Sequence, residues 1–170
     1  VLLFSNSNNQ AGVMQASRKL LAINPNNLAA MENMAVAAKN LNLYQDALNT
    51  YSQLFNLTSH TRFMYEIADV YFTAKQLNEG QKIFDQIINN PRSKTDNISM
   101  LLGPGRVTQV PVLTATYNYL GFYLAQNGNN EQAKVYYEKA LEITPDFIIT
   151  KNNLGNLSKG AVKEDKKGKK

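Results

Sequence analysis

The stretch that decides the fold lies at residues 114–145 and reads TATYNYLGFYLAQNGNNEQAKVYYEKALEITP. On both sides of a polar turn, its apolar residues recur at the three- and four-residue spacing of one helical face. The turn is Asn127-Gly128-Asn129-Asn130, and such residues cap helix ends or tolerate a left-handed backbone. This stretch therefore predicts two helices joined by a tight turn.

The same pattern occurs twice more, at residues 28–59 and 61–92. Small side chains at matched positions let two helices approach closely, and large apolar ones fill the remaining space. No segment shows the strict alternation of a half-buried strand. The matched positions hold Met34, Ala35, Ala47, Tyr51 and Leu54; Ile67, Ala68, Gly80, Phe84 and Ile87; and Leu120, Gly121, Ala133, Tyr137 and Ala140.

These residues, with the closing Pro145, resemble the tetratricopeptide repeat (TPR). The resemblance implies an all-α fold, an α-α superhelix in which helical hairpins stack as a right-handed solenoid. It implies the following organisation: 1–25, a partial repeat with its second helix at about 10–23; 26–59, 60–92 and 111–145, three repeats; 146–159, a C-terminal capping helix; and 160–170, a disordered Lys-rich tail.

The spacing of the small positions reveals an insertion. The intervals are 34, 33 and 53 residues between Val13, Ala47, Gly80 and Ala133. The extra residues fall at 93–110, where glycine and proline favour a long loop. We expect this loop to contain a short helical turn at 98–102. The insertion either shapes the binding face or is a tolerated surface insertion.

Composition excludes most catalytic chemistry. The chain has no cysteine and one histidine, His60, which excludes disulfide scaffolds, zinc ribbons, thiol catalysis and two-histidine metal sites. We interpret His60 as a helix-junction residue, and Gly103-Pro104-Gly105-Arg106 lacks the spacing of a phosphate-binding loop. We therefore predict a protein that is not an enzyme and that needs no metal or cofactor.

The positive charge is concentrated at the C-terminus. Of the net charge of +5, residues 159–170 carry +4, from six lysines and two acids, which leaves about +1 for the rest. A nucleic-acid binder normally carries a basic stripe on its folded surface, so we expect no specific nucleic-acid partner. The aromatic residues at 117–137 are interpreted as repeat core rather than a base-stacking platform. Weak contact of the tail with RNA or an anionic surface stays an alternative.

The resemblance implies that the first helices of the repeats line a concave groove that holds a peptide or loop of another protein. Aromatic rings supply contact area there, and amides pair with a peptide backbone. A second alternative is self-association in a larger assembly, which includes a homo-oligomer. The groove residues would be Glu32, Val36 and Lys39; Arg62, Tyr65, Asp69 and Phe72; Asn118, Phe122 and Gln126; and Asn152 and Asn156.

One well-known subtype of this family clamps a C-terminal carboxylate with lysine, asparagine and arginine. The matching positions here hold Glu32 and Val36 in the first repeat and Glu66 in the second. Acids in place of a cation and an amide would repel a carboxylate, so we exclude that subtype. Arg62 is expected to be opposed by Asp69, which predicts a ligand that is not strongly acidic.

Localisation stays open between the cytoplasm and export, for example to a periplasm. No apolar run approaches the roughly 18 residues that span a bilayer, which predicts a soluble protein without a transmembrane segment. Residues 1–4 fit either the remnant of a signal peptide or the broken end of an upstream repeat. The repeat register favours the second interpretation, because Phe4 falls on an aromatic position.

Overall fold

The computed structural model describes the backbone of residues 9–167 and the side chains of residues 9–157. Within that part the chain forms eight α-helices, one antiparallel β-hairpin and a 3₁₀-helix at Pro91–Lys94. The helices are α1 (Gln10–Ile23), α2 (Leu28–Asn40), α3 (Tyr44–Thr58), α4 (Arg62–Thr73), α5 (Leu77–Asn89), α6 (Val112–Gln126), α7 (Asn130–Ile143) and α8 (Ile148–Lys167). The strands are β1 (Asn97–Gly103) and β2 (Arg106–Pro111). The chain divides into two compact units, with the boundary after Asn89.

The first unit contains α1 to α5, and each helix packs against the next one along the chain. Contact between sequence neighbours is how repeat arrays build a continuous core. Ala35 of α2 and Ala47 and Tyr51 of α3 are fully buried in this core. The small-and-large alternation along the sequence therefore becomes close packing within the α2–α3 hairpin.

The three hairpin turns share one feature of backbone conformation. Each turn contains a residue with positive φ shortly after the first helix: Asn42 at 59°, Lys75 at 60° and Gly128 at 78°. A left-handed residue at this point ends a helix by turning the chain away from its axis. Asparagine and glycine adopt this conformation readily, whereas Lys75 adopts it at a steric cost.

Glycine permits the closest helix contact in two hairpins. A Cβ atom placed on Gly121 of α6 would lie 2.6 Å from the Tyr137 ring and 3.1 Å from the Ala133 carbonyl oxygen of α7. A Cβ atom on Gly80 of α5 would lie 2.6 Å from the Phe72 ring of α4. The two distances of 2.6 Å are shorter than real Cβ atoms show, so a side chain at either position would force its neighbours to move. Each glycine therefore lies where an aromatic ring of the neighbouring helix packs directly against the helix backbone.

The second unit begins at Asn90 and contains the 3₁₀-helix, the β-hairpin and α6 to α8. Helix α8 packs against both α7 and α6. Two threonine hydroxyls, on Thr114 of α6 and on Thr144 after α7, share a hydrogen bond of 2.8 Å. The fold is thus predominantly helical, as the sequence predicts, and the hairpin is its exception.

The insertion forms a β-hairpin and not the predicted loop. Residues 98–102, expected as a short helical turn within a loop, lie in β1, which pairs with β2 so that Ile98 faces Val110 and Leu101 faces Val107. Ile98 and Val110 are buried, whereas Leu101 and Val107 are exposed. The strand was missed because Met100-Leu101-Leu102 is a continuous apolar run, which hides the alternation.

The C-terminal helix also differs from the prediction. Helix α8 continues to Lys167, beyond the expected capping helix at 146–159 and through most of the tail expected to be disordered at 160–170. Phe4 and the rest of residues 1–8, on which the choice between a signal-peptide remnant and an upstream repeat depends, lie outside the described residues. Within the described part, no helix combines the length and apolarity needed to cross a bilayer.

Candidate partner-binding surfaces

The predicted groove residues fall on two surfaces, one in each unit. In the first unit they belong to α2 and α4, and in the second unit to α6 and α8. The first helices of the hairpins thus carry them, together with the last helix of the chain. Each surface has its own chemistry.

The second unit has a cavity of about 270 Å³ between α6, α7 and α8. Phe122, Gln126 and Asn156, all predicted from the sequence, line it. Phe122 is the exposed ring of the site, with 48% of its surface accessible. The other lining residues, which sequence reasoning did not assign to the groove, are Ala125, Asn130, Tyr137, Asn153 and Leu157. We call this the α6–α8 cavity.

The α6–α8 cavity offers polar groups without charge. Gln126, Asn130, Asn153 and Asn156 supply carboxamides, each with both donors and acceptors. The Tyr137 phenol is neutral at physiological pH, and burial raises its pKa further, to about 12. The cavity can therefore pair with peptide amides and apolar side chains without selecting for ligand charge.

Two residues that were predicted to line the groove, Asn118 and Asn152, do not line the α6–α8 cavity. Asn118 is only 6% exposed, and its Oδ1 accepts hydrogen bonds from Thr150 Oγ1 at 2.9 Å and Asn153 Nδ2 at 3.1 Å. It therefore joins α6 to α8. Asn152 is exposed but does not line the cavity, because one residue along a helix rotates the side chain by about 100°. Asn153 and Asn156, an i, i+3 pair, mark the face of α8 that lines the cavity.

In the first unit, α2 and α4 are joined by ion pairs. Arg62 Nη1 and Nη2 donate to Glu32 Oε1 at 2.6 Å and Oε2 at 3.0 Å, a two-pronged contact. Lys39 Nζ lies 2.7 Å from Asp69 Oδ2 and 3.5 Å from Glu66 Oε2. The partner of Arg62 is thus Glu32 and not the expected Asp69. We call these five residues the α2–α4 charge cluster.

Burial and charge shift the pKa values within this cluster. Burial raises the pKa of Glu66, because the Lys39 ammonium offsets the loss of hydration only in part and Asp69 adds repulsion. Burial alone would lower the pKa of Lys39, but the carboxylates of Glu66 and Asp69 raise it above the usual value. The raised pKa of Lys39 thus reflects the two neighbouring carboxylates, whereas the raised pKa of Glu66 reflects mainly its burial.

The aromatic residues predicted for this face belong to a hairpin core. Tyr65 and Phe72 of α4 are each 8% exposed, and their ring centroids lie 5.8 Å and 5.3 Å from that of Phe84 on α5. Val36 of α2 is exposed. The accessible chemistry of the face is therefore ionic rather than aromatic.

The described side chains offer no group of three or more His, Asp or Glu residues arranged to hold a metal ion. Elsewhere in the α6–α7 hairpin, Lys139 Nζ lies 5.7 Å and 5.3 Å from the ring centroids of Tyr117 and Tyr136. These two tyrosines are half-buried and pack with each other at 6.0 Å between centroids. The Lys139 ammonium and these two rings therefore form a cation–π contact within the fold.

Known proteins resemble this chain in sequence and in fold. The family model described as "Tetratricopeptide repeat" matches residues 114–147. "Uncharacterized protein ycf37" of Porphyra purpurea is 26% identical over 125 residues, which cover 65% of this chain and 70% of that protein. The protein of the same name from Cyanophora paradoxa is 28% identical over 91 residues, or 54% of this chain. That match spans 44% of the Cyanophora protein's length, and a match to the Pyropia yezoensis protein spans 26%.

Among solved structures, a tetratricopeptide repeat protein from Parabacteroides merdae matches with a TM-score of 0.60 and 15% identity, over 88% of this chain and 52% of that one. MamA matches with a TM-score of 0.58 and 19% identity, over 92% and 81%. At these identities the likeness concerns the fold. Residues 114–147 therefore match a tetratricopeptide repeat, and the chain shares its fold of helical hairpins with a solved tetratricopeptide repeat protein.

Proposed function

We propose that this protein is a non-catalytic interaction module that holds an extended segment of a partner protein against its first-helix surfaces. The tetratricopeptide repeat fold supports a protein-interaction scaffold in general. The finer proposal names the α6–α8 cavity as the main contact. The α2–α4 face of the first unit is proposed as a further contact surface.

The observation that carries the proposal is the composition of the α6–α8 cavity. Four carboxamides surround one exposed phenyl ring, Phe122, in a space of about 270 Å³. This volume is slightly below the usual range for small-ligand pockets and suits one or two side chains of a peptide. The amides can pair with its backbone, as adaptable polar contacts do in other peptide-binding surfaces.

The same composition argues against nucleic acid as the main ligand of the cavity. None of its lining residues carries a positive charge, whereas nucleic-acid binding depends on neutralising phosphates. Some structures that resemble this chain hold such ligands: IFIT1 was solved with m7Gppp-AAAA and matches with a TM-score of 0.57 and 16% identity. We carry over only the fold from that comparison.

The proposal is tested by selecting peptides from a displayed random library on the immobilised full chain and measuring the affinity of the selected peptides. Substituting Phe122→Ala removes the exposed ring, and we expect affinity to fall about tenfold or more, as for a central aromatic anchor. Val135→Ala on α7 is the matched control, since Val135 is also 48% exposed but does not line the cavity.

Equal affinity of the wild type and Phe122→Ala for every selected peptide would contradict a site in the α6–α8 cavity. A parallel titration with single-stranded RNA at two salt concentrations addresses the alternative. RNA affinity that exceeds peptide affinity and falls steeply with salt would favour the Lys-rich C-terminal segment as the binding element instead.

A further inference from the structure

The β-hairpin of the insertion has two unlike faces. One face packs on the second unit: α6 contacts both strands, and Ile98 and Val110 are buried. On the other face, Leu101 and Val107 lie opposite each other and are 57% and 51% exposed. The hairpin is therefore held through one face and presents an apolar pair on the other.

The ladder between β1 and β2 shows where the remaining backbone groups of β1 point. Val112 N donates to Asp96 O at 2.8 Å, which makes this residue pair a hydrogen-bonded one. Bonded and non-bonded pairs alternate along an antiparallel ladder, so Asn97, Ser99 and Leu101 belong to the non-bonded pairs. Their N–H and C=O groups therefore point away from β2, toward the outer edge of β1. In the part of the chain that the structure describes, no backbone group outside the hairpin hydrogen-bonds to them.

The two edges of the hairpin are protected unequally. Strand β2 begins with the charged Arg106 and ends with Pro111, which has no N–H to offer. Thr108 and Val110 of β2 also line a cavity of about 180 Å³ together with Phe147, just before α8. Strand β1 contains neither a charge nor a proline. Charges and prolines keep edge strands from pairing with other chains, so the edge of β1 is the one that stays open to pairing.

We propose that β1 is a dimer interface, at which its outer edge pairs with β1 of a second copy of this chain around a two-fold axis at Ser99. The two strands run antiparallel, so that Ser99 faces the partner's Ser99 and Asn97 faces the partner's Leu101. Each such pair exchanges two backbone hydrogen bonds. The two hairpins then form one four-stranded sheet. This inference is independent of the proposed peptide site and adds a second copy of the chain as a partner.

The chemistry of the edge favours a second copy as its occupant. A two-fold interface must be self-complementary, and like charges that face each other across strands are destabilising. Strand β1 meets both conditions, because each outward-pointing residue offers one donor and one acceptor and no side chain is charged. Pairing inside the hairpin becomes irregular between Leu101 and Gly103. The regular part of β1 is therefore residues 97–101, and its centre is Ser99.

The test is analytical ultracentrifugation of the full chain over a wide range of protein concentrations. One strand pair is a small interface, and small interfaces form weak complexes, so we expect monomers on dilution and dimers at high concentration. Species larger than the dimer are not expected, because two-fold pairing uses the open edge of both copies. A chain that stays monomeric at every concentration would overturn the proposal and leave this edge to a strand of another protein.

Two proline variants locate the interface. Ser99→Pro removes an N–H that points out of β1 and takes no part in the ladder, so the dissociation constant of the dimer should rise about tenfold or more. Gln109→Pro is the matched control, since Gln109 faces Ser99 in the hairpin and its N–H points out of the opposite edge. Both variants lose the 3.1 Å hydrogen bond between these two side chains. Equal weakening by the two variants, or a dimer that survives Ser99→Pro, would overturn the proposal.

Charged variants test the register without proline. Ser99→Lys places two like charges opposite each other at the two-fold axis and should weaken the dimer about fivefold or more, whereas Gln109→Lys should not. Mixing Ser99→Lys with Ser99→Glu should restore dimers that contain one copy of each, because opposite charges then face each other. Melting curves check that each variant is folded. A mixture of folded variants that stays monomeric would overturn the pairing at Ser99 and with it the proposal.

Discussion

The face between α2 and α4 presents five ionisable side chains, whereas the cavity between α6 and α8 is lined only by uncharged ones. Both surfaces are built on first helices of similar hairpins. In the first unit the positions that packing leaves open hold acids and bases. In the second unit they hold amides and one phenyl ring.

This difference shows that helix packing and surface chemistry depend on different sets of positions in the hairpins. Hairpin packing depends on the small and large residues between helices, such as Gly121 against Tyr137. The proposed binding chemistry depends on residues that the hairpin core does not need, such as Gln126 or Phe122. A substitution in one set should therefore change stability, and a substitution in the other should change binding.

The largest expected effect concerns packing. Gly121→Ala puts a Cβ atom 2.6 Å from the Tyr137 ring and 3.1 Å from a backbone oxygen, so helix α7 must shift. We expect the free energy of unfolding to fall by about 2 kcal/mol, as for an overpacked core. Chemical denaturation of the variant measures the change.

Gly155→Ala on α8 is the control, because nothing lies within 4 Å of its Cβ position. It should raise the free energy of unfolding by about 0.5–1 kcal/mol through the helix propensity of alanine. Equal effects of the two substitutions would mean that Gly121 is not a close-contact position.

A smaller effect on stability is expected in the first unit, at the buried Tyr51. Tyr51→Phe removes a buried hydroxyl that interacts with the Glu66 carboxylate. We expect the free energy of unfolding to fall by about 1 kcal/mol, because Glu66 loses a hydrogen-bond donor. An increase of similar size would show that burying the hydroxyl costs more than its interaction with Glu66 contributes.

The smallest effect is a pH dependence. The pKa of Glu66 is raised in the folded state, so folding favours its protonated form. Its contribution to stability is therefore fully present below the unfolded-state pKa and is lost as pH rises through the folded-state pKa. Compared with Glu66→Gln, the wild type should become progressively less stable between acidic and neutral pH.

Partial exposure of Glu66 keeps this effect small, since solvent screens its interactions. Denaturation curves at several pH values measure the difference, and Glu138→Gln accounts for the general effect of removing one carboxylate. A difference between wild type and Glu66→Gln that stays constant with pH would contradict the raised pKa.

The sequence predicted the helical hairpins because their packing repeats. Gly121, Ala133 and Tyr137 have counterparts in the other hairpins, so three copies supported one interpretation. The β-hairpin occurs once, and its apolar run Met100-Leu101-Leu102 hides the alternation of a strand. Repetition of the packing pattern made the helical hairpins predictable, whereas the β-hairpin has no second copy to support its prediction.

The candidate site was less predictable because it depends on rotation and reach. One residue along α8 separates Asn152, which is outside the cavity, from Asn153, which lines it. The pairing of Arg62 with Glu32 depends on how α2 and α4 are aligned, which hydrophobic periodicity does not fix.

The most direct test of the account is to titrate the isotope-labelled full chain with a selected peptide and follow its backbone amide chemical shifts by NMR. The account predicts the largest shifts in α6 around Phe122 and Gln126 and in α8 around Asn153 and Asn156. Shifts confined to the exposed side of α7 around Val135, with those residues unchanged, would contradict it.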